Sequence, residues 1–272
     1  MQIVASGLAI TGVRLNGFPD ALGRHFPASV ADMLKSQKNI HVVIGVVLFI
    51  AIVSLGQAFG WHDETHLSVA KAAGYKKWYN AAGADMAKIK ADRIERNNHY
   101  CNNPQRAEVT PDVVFGQIAR YNDPSDTEGH LYGAIIASLR EYRGTTETGK
   151  YAEYHLAFCA HYVGDLSQPL HNYPNDIFNV LHHKTNDGIV EGEVFNNIPK
   201  IEKNVYPITL RNTSFEEDLA REIARIANVS RKLGYRLQEQ NRDMTKEEAY
   251  EQLGHSASLL KAILTYVKGM QK

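Results

Sequence analysis

Histidines and carboxylates recur at one spacing in this chain. His161 and Asp165 lie four apart in HYVGDLSQPLHN, and His183 and Asp187 lie four apart in LHHKTND. Residues four apart on a helix share a face, so each pair can turn both side chains toward one cation. Pro169 ends the first of these helical runs and His171 follows it. Imidazole and carboxylate donors without a thiolate suit zinc in a hydrolytic site. Further ligand-type residues stand at Trp61 to His66, in AFGWHDETH, and at His99, in NNHYCNNP.

The other candidates read differently. His182 rivals His183, but only His183 keeps the four-residue spacing to Asp187. His155 precedes His161 by six and faces another side of the helix, so it reads as structural. His130 and His255 read as surface or core residues. Tyr151 and Tyr154 read as packing, and Glu191 and Glu193 as solvated charge. Tyr162 and Asn172 neighbour ligand candidates and could orient them.

The elements that must position these groups are helices. HLSVAKAAGYKKWYNAAG, EGHLYGAIIASLREYR and GKYAEYHLAFCAHYVGDL carry apolar residues at helical spacing. Pro111 marks a helix start. A loop-rich stretch is expected from Asn172 to about Asn212. Two long helices then follow, opened by capping pairs Ser214–Glu217 and Thr245–Glu248. Alternating strand patterns are absent, which predicts an all-α single domain.

The N-terminal part reads as a targeting segment. IHVVIGVVLFIAIVSL is shorter than the roughly 20 apolar residues of a membrane span. Lys35 and Lys38 precede it, and Ala58-Phe59-Gly60 offers small residues for a cut before Trp61. Residues 33–60 are therefore expected to be a signal peptide, with translation starting at Met33 and residues 1–32 a gene-model extension. Residues 61–272 form the expected domain, secreted or periplasmic. Thirty basic residues balance 30 acidic ones, so no basic excess supports a duplex footprint. The two cysteines, Cys101 and Cys159, allow one disulfide or two buried thiols.

HYVGDLSQPLH resembles the signature of the superfamily that holds zinc-dependent phospholipase C and the single-strand-specific zinc nucleases. The resemblance implies an all-helical fold around three zinc ions and a mature chain that starts with tryptophan. Cleavage before Trp61 would then free an amino group that binds metal. By the same resemblance Trp61, His66, Asp85, His99, His161, Asp165, His171, His183 and Asp187 are the metal ligands. Asp165 would bridge two ions and Asp85 would also be the catalytic base. Asp92 is the rival for that early aspartate, seven residues before His99 where Asp85 is fourteen before it. The leading expectation is a phospholipase C acting on phospholipids, a monomer with transient membrane-surface contact. The Trp61–His66 spacing and Asp187 point instead to the second reading, a single-strand nuclease or 3′-nucleotidase, for which Tyr100 is the base-stacking candidate. A non-catalytic, zinc-stabilised phosphate-binding domain is the third.

Overall fold

The computed structural model describes residues 61–90, 93–103, 107–145 and 150–270. The expected signal peptide, the segment before it and Asp92 lie outside the described residues. Among the described residues every regular element is helical and none is a strand. The first half holds α1 (Asp63–Ala72), α2 (Gly83–Lys90), α3 (Arg93–Arg96), α4 (Pro111–Gln117) and α5 (Leu131–Gly144). The second half holds α6 (Lys150–Leu166), α7 (Ile177–Asp187), α8 (Glu191–Val194), α9 (Ile198–Glu202), α10 (Phe215–Gln240) and α11 (Lys246–Met270). No described helix is long and apolar enough to cross a membrane.

Helix α6 is the axis of the domain. Every residue from Leu156 to Leu166 is buried, the pattern of a helix surrounded by other elements. It packs most extensively on α5 and also against α1, α2, α10 and α11. Tyr162, Val163 and Leu166 are fully buried, and each such side chain contributes on the order of 1.5–3 kcal/mol. Helix α10 is amphipathic instead. Leu219, Ile223, Ile226, Leu233 and Leu237 face inward, and Glu216, Glu217 and Asp218 fill its first turn, where a helix favours negative charge.

The ends of the helices differ from expectation in places. Thr245 and Glu248 form the reciprocal cap, with Glu248 N donating to Thr245 Oγ1 (3.1 Å) and Thr245 N to Glu248 Oε2 (2.9 Å). Ser214 makes no such cap, because its hydroxyl bonds Asp218 (3.2 Å), which also holds Arg211. The stretch expected as loop contains α7, α8 and α9. Asp176 starts α7 by accepting from Asn179 N at 3.0 Å. Glu191 is not free charge: its carboxylate accepts from the amides of Glu64 (2.8 Å) and Thr65 (3.0 Å) and caps α1. Cys101 and Cys159 are both buried free thiols, and burial raises the Cys101 thiol to about 11 and the Cys159 thiol to about 12.

Candidate metal centre

Six segments deliver the ligand-type side chains to one place. His66 comes from α1 and Asp85 from α2. His99 follows α3, and His161 and Asp165 share a face of α6. His171 lies in a 3-10 turn, Pro169–Asn172, and His183 and Asp187 share a face of α7. Three groups form: His66 with His161 and Asp165, Asp85 with His99 and His161, and His171 with His183 and Asp187. Within each, the donor atoms lie within 4.8 Å of one another. His182, the rival, is in none of them. It pairs with Asp243 (2.7 Å) and stacks on Phe178.

Asp165 sits at the centre. Its Oδ1 is 3.3 Å from His66 Nε2, while its Oδ2 is 2.9 Å from His99 Nδ1 and 3.3 Å from His161 Nε2. The two oxygens therefore face different groups, as a carboxylate shared between two cations requires. Asp85 Oδ1 closes its triangle at 3.8 Å from His99 Nδ1 and 3.7 Å from His161 Nε2. In the third group His183 Nε2 is 3.1 Å from His171 Nε2 and 3.2 Å from Asp187 Oδ2. Tetrahedral zinc with bonds of about 2.1 Å separates its ligands by roughly 3.4 Å, so these triangles are of the right size.

Hydrogen bonds at the far side of each ring fix its tautomer. His161 Nδ1 donates to Ala81 O (2.8 Å), His171 Nδ1 to His99 O (2.6 Å) and His183 Nδ1 to Asn179 Oδ1 (2.6 Å). Each leaves a lone pair on Nε2 facing the cluster. At 3.1 Å the two lone pairs of His171 and His183 repel unless a cation or proton stands between them. Both nitrogens of His66, Asp165 Oδ1 and Asp187 Oδ2 are buried without a hydrogen-bond partner. Buried polar atoms without partners are costly and rare. Their concentration here fits a set of bound metal ions.

The charges point the same way. Burial would raise the Asp85 carboxyl, but His161 and Lys88 hold it below the usual carboxylate range. Asp165 is likewise raised by burial and pulled well below that range by His161, His171 and His66. Burial lowers His161, yet Asp165 and Asp85 raise it to about 9, so its Nε2 carries a proton unless a cation displaces it. Burial and the His161 charge lower His66. Asp187 is pushed well above the usual range, first by burial and then by Asp165. A cation in the third triangle would offset that penalty.

Supporting residues surround the cluster; the sequence pointed to Tyr162 and Asn172 but not to Lys88, Glu95 or Gln168. Lys88 places its Nζ 2.5 Å from Asp85 Oδ1 with its side chain 8 % exposed. Its signal was the three-residue offset in GADMAK. Glu95 is buried, accepts a hydrogen bond from Tyr162 Oη, and lies 3.6 Å from His99 Nε2. His99 is thus the ring whose outer nitrogen faces a carboxylate. Gln168 donates to Asp187 and accepts from the amide of His171, tying the α6 end to the third group. At Gly164 a Cβ would stand 2.5 Å from His66 Nδ1, so the close approach of that ring needs glycine. Asn172 donates to Leu166 O (2.8 Å) and Gln168 O (2.9 Å) and braces the turn that carries His171.

The remaining candidates are not among the side chains of these three groups. Trp61 is fully buried just before α1, and its indole Nε1 has no hydrogen-bond partner. His130 is a core residue, held by Asp126 (2.9 Å) and Asn98 (2.8 Å). His255 bonds Tyr206 Oη at 2.9 Å. Tyr154 corrects its expectation, since it is half exposed rather than packed away.

Over 168 residues the chain is 26% identical to Endonuclease 2 of Arabidopsis thaliana. The match covers 53% of this chain and 56% of the relative, so the chain spans about half the length of the curated relative it matches. No family model matches, and no solved structure matches. The likeness is to a nuclease, and nothing in the comparisons favours a phospholipase.

Proposed function

We propose that this protein is a zinc-dependent phosphodiester hydrolase that cuts single-stranded nucleic acid. The observation that carries the proposal is the group of His and Asp donors around Asp165, with Lys88 beside Asp85. The likeness to Endonuclease 2 shifts the balance from the phospholipase expectation to the nuclease one. Trp61, His66, Asp85, His99, His161, Asp165, His171, His183 and Asp187 would hold three zinc ions. Bound zinc would supply charge neutralisation at the phosphoryl oxygens and a lowered pKa for water.

The chain's own residues supply the rest. Asp85, kept ionised beside Lys88, can orient an attacking water or take its proton. Lys88 adds a cation at the point where negative charge grows on the phosphoryl group. Ala81 O, Asn179 and His99 O keep three imidazoles in the orientation the ligands need. The chain from Trp61 carries 26 basic and 28 acidic residues, so it has no positive field for gripping a duplex, and local contacts to an unpaired strand fit better. Secretion after cleavage before Trp61 belongs to the same reading.

The direct test uses secreted protein whose N-terminus is shown to be Trp61. It should nick circular single-stranded DNA and RNA, stop with a chelator and recover with zinc. Duplex DNA should be cut far more slowly. No cleavage by zinc-loaded protein would remove the proposal. The phospholipid reading keeps one observation of its own: Ile177, Val180 and Leu181 lie exposed on α7, next to His183. Release of phosphocholine from phosphatidylcholine vesicles, lost on Ile177→Ser with Leu181→Ser, would favour it.

A further inference from the structure

A cavity of about 840 Å³ opens between α2 and α6. Tyr79, Asn80, Met86, Tyr154, His155 and Phe158 are among the residues that line it, and among the described residues no Lys, Arg, Asp or Glu does. Its position follows from the same helices that build the metal centre. Tyr154, Phe158 and His161 succeed one another on one face of α6, at offsets of four and three. At 1.5 Å per residue, Phe158 is about 4.5 Å and Tyr154 about 10 Å from His161 along the axis. Met86 follows Asp85 in α2. Asn80 precedes Ala81, whose carbonyl holds His161.

The lining is not needed for the core. Tyr79 is 59 % exposed, Met86 53 % and Tyr154 50 %. Three large apolar side chains left open in one cavity mark a binding surface rather than scattered exposure. Tyr154 and Phe158 have ring centroids 4.0 Å apart and planes inclined by 38°, which gives a continuous aromatic wall. The described walls offer aromatic and apolar surface rather than charge for a phosphate. They can hold a flat, neutral ring, and the Asn80 and His155 side chains offer hydrogen bonds to its edge. The charged chemistry lies a turn or two away, at His161, Asp85 and Lys88.

We propose that this cavity binds the base of a nucleotide next to the cleaved phosphodiester, by stacking on Tyr154 and Tyr79. The proposal rests on the nuclease reading above. It also departs from the sequence expectation, which placed the stacking residue at Tyr100. The Tyr100 hydroxyl instead donates to Thr127 O (3.0 Å), pinning that ring to its own loop. Stacking of this kind tolerates any base, because every base has a π-face.

The test compares adenosine 5′-monophosphate with ribose 5-phosphate, which differ by the base, as ligands of the zinc-loaded protein by calorimetry. Wild type should bind the nucleotide more tightly. Tyr154→Ala should weaken nucleotide binding about fivefold to a hundredfold and leave ribose 5-phosphate unchanged. Tyr154→Phe should bind like wild type, since the ring and not the hydroxyl stacks. The proposal is overturned if wild type does not distinguish the two ligands. It is also overturned if Tyr154→Ala and Tyr79→Ala lose neither ligand, or lose both equally. Hydrolysis of phosphatidylcholine that depends on Tyr154, without nucleotide selectivity, would assign the cavity to an acyl chain and likewise overturn it. Base-selective, Tyr154-dependent binding in a protein that cuts no single strand would uphold the cavity and remove the nuclease reading alone.

Discussion

The groups around Asp165 and the group on α7 use the same chemistry on different supports. Asp165 and its partners draw on α1, α2, the segment after α3, and the buried half of α6, and His66, His99, His161 and Asp165 are all at most 1 % exposed. The third group draws on one turn and one helix; His171 and Asp187 are fully buried there too, and the His183 side chain, 12 % exposed, matches that of Asp85 at 13 %. Metal at Asp165 would be bound to the core itself. Metal at His183 would sit on α7, where it can be lost without disturbing α6. The groups therefore differ less in burial than in the helix that carries them, α6 for the first two and α7 for the third.

The strongest way to break this comparison is at its hub. Asp165→Asn keeps the shape but removes the shared negative charge. It should lower zinc content by more than one ion and lower cleavage by about a thousandfold or more, the scale of several kcal/mol of lost charge stabilisation. Elemental analysis with a single-turnover assay would check both. Full zinc content in that variant would break the assignment of Asp165. His183→Ala should instead remove about one zinc per chain and leave the melting temperature close to wild type. A large drop in helical signal for His183→Ala would mean the α7 group is as structural as the groups on α6.

Glu95→Gln should have a smaller effect, because Glu95 acts through His99. Supporting groups of this kind are worth about 10- to 100-fold in metal affinity. Competition with a chromogenic chelator would measure it, and the visible spectrum of the cobalt-substituted protein should shift. An unchanged affinity and spectrum would leave Glu95 with only its bond to Tyr162. The smallest effect belongs to His182→Ala. His182 pairs with Asp243 and not with the cluster, so zinc content and cleavage should match wild type. Lost zinc in that variant would reverse the choice between the adjacent histidines.

The same contrast explains what could be read from sequence. His161–Asp165 and His183–Asp187 were legible because a helix converts a four-residue offset into one face, whatever surrounds it. Asp85 was preferred over Asp92 by resemblance, and the structure sets Asp85 beside His99 and His161 while Asp92 lies outside the described residues. Helix α7 was expected as loop even though the His183–Asp187 spacing implied a helix, because its apolar residues, Ile177, Phe178, Val180 and Leu181, are confined to its first part. Glu191 was misread because its partners, Glu64 and Thr65, are more than a hundred residues away. The role of Glu95 was hidden because a buried carboxylate and a solvated one look alike until tertiary contacts are known. Tyr154 shows a related limit: periodicity tells which face a residue occupies, not whether that face is filled.

The most direct measurement is zinc bound per chain, with cleavage of a single-stranded oligonucleotide followed on the same sample. The sample should be protein that begins at Trp61, taken through chelation and stepwise return of zinc. Three zinc ions per chain are expected. Cleavage should return with the ions around Asp165 and disappear again with chelator. Cleavage that persists in fully chelated protein, or a chain that takes up no zinc, would contradict the account.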